Sequence, residues 1–66
     1  MSEIENWLKQ AEADLKSAEN SLNSGDYYLS AFMSQQATEK VLKALYIKEK
    51  RELLKTHSVS KLGKLN

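Results

Sequence analysis

Ile4, Trp7, Leu8, Ala11, Leu15, Ala18 and Leu22 recur at spacings of three and four along the first third of the chain. At about 100° per residue they fall within an arc about 100° wide, the single apolar stripe of a helix with one buried side. Ser2 stands before the stripe as an N-cap, and Glu3 and Glu5 fill the first turn, where the helix dipole favours anions. Asn23-Ser24-Gly25 closes it, with Gly25 suited to the left-handed position after the last turn. The pattern predicts a helix over about 3–23. Asp26 can cap the next helix, so the connection is only a few residues long and the two helices lie antiparallel.

The second pattern runs from about 27 to about 50 and is apolar on more than one side. Met33, Ala37, Val41, Ala44 and Leu45 form one face, whose small residues let another helix approach closely. Tyr28, Phe32, Tyr46 and Ile47 put bulk on the other side, above and below a polar group of Gln36, Glu39, Lys40 and Lys43. A helix apolar over most of its circumference is a central one, and the first helix alone cannot cover it. Residues 51–56 read as a loop or a fraying end. Thr56 or Ser58 then caps the start of a third helix over about 57–66, with Val59, Leu62 and Leu65 at every third position. The fold class expected is all-α: an antiparallel helical hairpin plus the start of a third helix, a single domain that is apparently incomplete.

Composition narrows the function classes. The 66 residues include no cysteine, no proline, two glycines and one histidine. Disulfides and thiolate metal centres are excluded, one histidine cannot build a metal cage, and no cofactor is expected. No apolar run approaches the ~18 residues a membrane span needs. The N-terminus carries acids rather than a basic-then-apolar leader, so a cytoplasmic location is expected. A chain this short buries little surface and is marginal without a staple, which makes a partner or a longer domain an expectation.

Net charge is only +1, but it is unevenly placed. Residues 1–33 hold two lysines against six acids, and residues 34–66 hold eight bases against three acids. The asymmetry fits a nucleic-acid-facing end, or two antiparallel helices with complementary surfaces. No segment is dense enough in base to form a nucleic-acid patch alone.

Trp7 to Glu19, then Gly25-Asp-Tyr-Tyr, then Ser34-Gln-Gln-Ala-Thr-Glu-Lys-Val-Leu-Lys-Ala-Leu-Tyr, then Lys55-Thr-His-Ser-Val-Ser-Lys-Leu resemble the N-terminal half of a HEPN domain. Gln35 to Ala44, followed at a distance by Thr56-His57, is the most specific part. The resemblance implies an up-and-down bundle of four or five helices, about twice this length. It also implies a prokaryotic protein of a toxin–antitoxin type system, encoded beside a minimal nucleotidyltransferase as partner, with dimerisation common in the family. Several branches are metal-independent ribonucleases, in which an arginine and a histidine four to six residues apart act on a later helix at the dimer interface. This chain is expected not to reach that helix.

Arg51 and His57 have the spacing of that ribonuclease pair. A histidine can take a proton from a ribose 2′-hydroxyl while an arginine holds the phosphate. Their position, between the second and third helices, instead suits a histidine that caps or bonds across the bundle. Gln36, Glu39, Lys40 and Lys43 could line a nucleotide, RNA or partner groove, lysines toward phosphate and Phe32 and Tyr46 toward bases. The plainer alternative is a solvated strip or inter-helix hydrogen bonds. Trp7 falls in the apolar stripe and is expected in the core. Two classes of function therefore stand: a HEPN-family component that associates through helix packing, with nucleotide or RNA contact secondary, or a homo-oligomeric structural module without a ligand. A truncated ribonuclease toxin is a third possibility.

Overall fold

The computed structural model describes the backbone of residues 2–64 and the side chains of residues 2–56. It is an antiparallel hairpin of two helices, α1 (Glu3–Asn23) and α2 (Tyr27–Lys64). Ser2 Oγ accepts the Glu5 N–H at 3.1 Å, and this cap starts α1 where the sequence places it.

The turn is built from three residues. The Gly25 N–H donates to Leu22 O at 3.1 Å and the Asp26 N–H to Ser21 O at 2.8 Å, the paired bonds of a Schellman closure. Gly25 takes φ +84°, where a side chain is strained, and Asp26 Oδ1 accepts the Leu29 N–H at 3.0 Å to cap α2. One residue ends the first helix and the next begins the second, so the chain reverses within the length of the turn.

The two helices meet along a seam with alternating spacings of three and four. On α1 it comprises Ile4, Trp7, Ala11, Asp14, Ala18 and Ser21; on α2 it comprises Ser30, Met33, Ala37, Lys40, Ala44 and Ile47. Four cross-helix contacts set the register. Ser30 Oγ donates to Ala18 O at 2.8 Å, Lys40 Nζ lies 2.6 Å from Asp14 Oδ2, Lys43 Nζ sits 4.4 Å from the centre of the Trp7 ring, and Arg51 reaches Glu3 at 3.8 Å. Ala11 and Ala18 on one helix, and Ala37 and Ala44 on the other, repeat every seven residues, so a methyl or hydroxyl stands where a bulky side chain would hold the backbones apart. A hydroxyl-to-carbonyl bond between helices needs that close approach.

The core is consequently small. The buried residues among those described are four alanines and Ser21, and no large side chain is fully buried. Among the described residues, twelve large apolar side chains, from Leu29 at 42% to Tyr28 at 87%, remain exposed.

Two sequence expectations are corrected. The α1 stripe divides: Ile4, Trp7, Ala11 and Ala18 enter the seam, while Leu8, Leu15 and Leu22 stay out of it, because the helices approach through their smallest residues. The expected break at 51–56 is also absent, and α2 continues as one helix to Lys64. Lys48 to Lys55 are strong helix formers with no glycine or proline among them. Arg51 already lies opposite the start of α1, so the hairpin supplies no further neighbour for the chain to turn back upon. A third helix starting near 57 is therefore not seen, and the side chains of the expected Val59, Leu62 and Leu65 stripe lie outside the described ones. The 38 residues of α2 account for most of the 63 × 21 × 10 Å extent of the molecule.

Candidate functional site

The polar residues of α2 are distributed by the seam. Lys40 lies within it, bonded to an Asp14 whose side chain is 13% exposed, and its own side chain is 24% exposed. The buried Asp14 Oδ2 is paired with the Lys40 ammonium and has no hydrogen-bond partner of its own among the described residues. Lys43 lies over the face of Trp7, its ammonium against the electron-rich ring. Gln36 is half-buried and Glu39 exposed. Gln36 and Lys43 each precede a seam alanine, which puts them on one side of the hairpin, whereas Glu39 lies on the outer side of α2. The four residues fall within about 100° of one another around α2, and two of them, Lys40 and Lys43, are engaged by α1.

Arg51 is half-exposed, with Glu3 at the edge of ion-pairing distance. The side chain of His57 lies outside the described residues. Both positions are on one continuous helix, where six residues correspond to about 120° of separation around the axis. No group of three or more metal-capable side chains occurs among the described residues, and none of the helices described is long and apolar enough to cross a membrane.

What the hairpin does present is uncovered apolar surface, on two sides. Leu8, Leu15 and Leu22 each follow a seam residue of α1, and Val41 follows Lys40 on α2 in the same way. In an antiparallel pair, positions that follow the seam on both helices lie on the same side of it. Leu45, one turn on from Val41, extends this two-helix face. The second surface is the back of α2, where Tyr28, Phe32, Leu42, Tyr46 and Leu53 are all exposed and share one row with Gln35, Glu39 and Glu49. It bears shallow relief at Tyr46, Glu49, Lys50 and Leu53; on α1 a similar concavity is lined by Glu12, Ala13, Leu15, Lys16 and Glu19. Exposed apolar side chains grouped on one face are a mark of interaction sites. The strict seven-residue spacing of Leu8, Leu15 and Leu22 was the signal for the first face; it is masked in the sequence because Ile4, Ala11 and Ala18 fill the same arc.

The HEPN domain family model matches residues 4–66. No curated protein and no solved structure matches the chain.

Proposed function

The chain belongs to the HEPN domain family, and on that premise we propose that it works by helix packing, as the associating part of a HEPN-type assembly. The observation that carries this reading is the inversion of the hairpin: its seam buries alanines, while Phe32, the tyrosines and the described leucines are exposed. Burying such side chains is worth about 1.5–3 kcal/mol each, so a partner that covers either face gains more apolar contact than α1 and α2 gain from one another.

The wider setting follows the family: a prokaryotic toxin–antitoxin type system with a minimal nucleotidyltransferase as partner, and nucleotide or RNA contact as a secondary property. Exposed Lys48, Lys50 and Lys55 support that contact better than Lys40 and Lys43, which would have to leave Asp14 and Trp7 to bind a phosphate. Sedimentation velocity of the chain alone, and mixed with a minimal nucleotidyltransferase, tests the association. A complex in either experiment is expected. A folded monomer in both would overturn the reading.

A further inference from the structure

We infer that the back of α2 is a second helix-packing seam, and that its occupant is a helix of another protein with two lysines or arginines in its apolar stripe, opposite Glu39 and Glu49. The inference rests on the association reading above and gives the partner its chemistry.

The row has the geometry of a seam. From Tyr28 to Leu53 its positions alternate in steps of four and three without a gap, the spacing that keeps one side of a helix against a neighbour. It runs about 37 Å along the axis. α2 therefore carries two seams on nearly opposite sides. One buries Ala37 and Ala44 against α1; the other leaves Leu42 59% and Tyr46 66% exposed. Near its C-terminal end Tyr46, Glu49, Lys50 and Leu53 stand at i, i+3, i+4 and i+7, the four corners of a hole that takes one side chain of a facing helix, and the surface is concave there.

The charge in the row identifies the occupant. Glu39 and Glu49 are members of the row rather than neighbours of it, so a helix laid on Leu42 and Tyr46 covers both. Neither has an ion-pair partner among the described residues. A carboxylate taken out of water without a counter-charge is unfavourable, so the covering helix has to bring a cation to each. The α1–α2 seam has this arrangement already, with Asp14 and Lys40 meeting at 2.6 Å. Lysine and arginine also suit the hole: the aliphatic stem lies along Tyr46 and Leu53 while the charged head reaches Glu49. Lys50 forms the opposite wall, and its charge directs an incoming cation to the Glu49 side. The two bases stand ten residues apart on the partner, as Glu39 and Glu49 do on α2.

A second copy of this row does not meet the requirement. A two-fold pairing sets the row against itself, and the row holds two acids and no base. In a parallel pair each glutamate of the row faces its own equivalent. In an antiparallel pair about the middle of the row, the two copies of Glu39 come within ~4.5 Å along the axis. Like charges inside an interface exclude one partner as opposite charges select another.

The probe is a labelled synthetic helix of four heptads, leucine in its apolar stripe and lysine at two stripe positions ten residues apart, titrated with the full chain and followed by fluorescence anisotropy. A second peptide has glutamate at those two positions. The lysine peptide is expected to bind about tenfold or more tightly than the glutamate peptide, and E39K/E49K should reverse the preference. Leu42→Glu should abolish binding of the lysine peptide although it adds a negative charge, and Leu15→Glu, on the α1 face, should leave it unchanged. Circular dichroism of each variant checks that the helices remain, since all four positions are exposed. Equal binding of the two peptides, or a preference that E39K/E49K does not reverse, would overturn the inference. So would binding that survives Leu42→Glu but not Leu15→Glu. Sedimentation velocity separates this from the association reading: an oligomer of the chain alone that Leu42→Glu dissolves would put a second copy on the row, overturning the inference while leaving association intact.

Discussion

At the level of single residues, two positions carry more of the hairpin than their size suggests. No heavy atom lies within 4 Å of where a Cβ on Gly25 would sit, so Gly25→Ala meets no clash. Its cost comes from the backbone alone, because φ +84° is disfavoured for an L-residue by roughly 1–2 kcal/mol, partly offset by a less flexible unfolded chain. A loss of about 1 kcal/mol in urea unfolding is expected, and less for Gly25→Asn, which tolerates that region better. The Asp14–Lys40 pair is the second case. Asp14→Ala strands an ammonium in the seam, and because Lys40 keeps a path to water the loss should stay near 1–2 kcal/mol. Replacing both, as Asp14→Leu with Lys40→Met, should be neutral or stabilising, since a buried pair repays its desolvation poorly. A double-mutant cycle read by denaturant midpoints separates the two effects. If the double variant is as unstable as Asp14→Ala, the pair contributes more than charge compensation.

At the level of elements, small residues decide how the helices meet. Ala44 is 2% exposed in the seam, so Ala44→Leu should force the helices apart and cost about 1–3 kcal/mol. Leu42→Ala, on the open back of α2, should change the stability of the isolated hairpin by no more than ~0.5 kcal/mol. This reverses the usual order, in which truncating a leucine is the costly change, and thermal melts of the two variants at low concentration check it. The same feature explains what the sequence could and could not reveal. Caps and turn were readable because Ser2, Gly25 and Asp26 act within three to five residues of themselves. The hairpin followed from the short connection. Which part of the apolar arc becomes the seam depends on how closely two backbones approach, and periodicity weighs leucine above alanine, so Leu8, Leu15 and Leu22 were expected inside. Lys40 and Lys43 looked available because Asp14 and Trp7 are far away in sequence. The break at 51–56 was expected because Thr56 or Ser58 can cap a new helix there; the local sequence, rich in helix formers, favours continuation instead.

At the level of the whole molecule, the length of α2 and the poverty of the core are linked. α1 reaches Arg51 through Glu3, and Leu53 and Leu54 beyond it are exposed. A seam of alanines contributes little transfer free energy, while ordering each residue costs about 1–2 kcal/mol of backbone entropy. The balance of a lone hairpin is therefore close to zero, and on the proposed association, covering the outer leucines and aromatics would tip it. Folding and association would then be one equilibrium, and stability is expected to depend on concentration. Raising protein concentration a hundredfold should add about 2.7 kcal/mol to the apparent stability and raise the melting temperature by on the order of 10 °C, given the small unfolding entropy of so short a chain. Melting curves followed by circular dichroism at 222 nm across that range are the measurement. A midpoint that stays fixed while the chain remains helical would mean that Ala11, Ala18, Ala37 and Ala44 suffice to hold the hairpin, and that its exposed faces do not contribute to its folding.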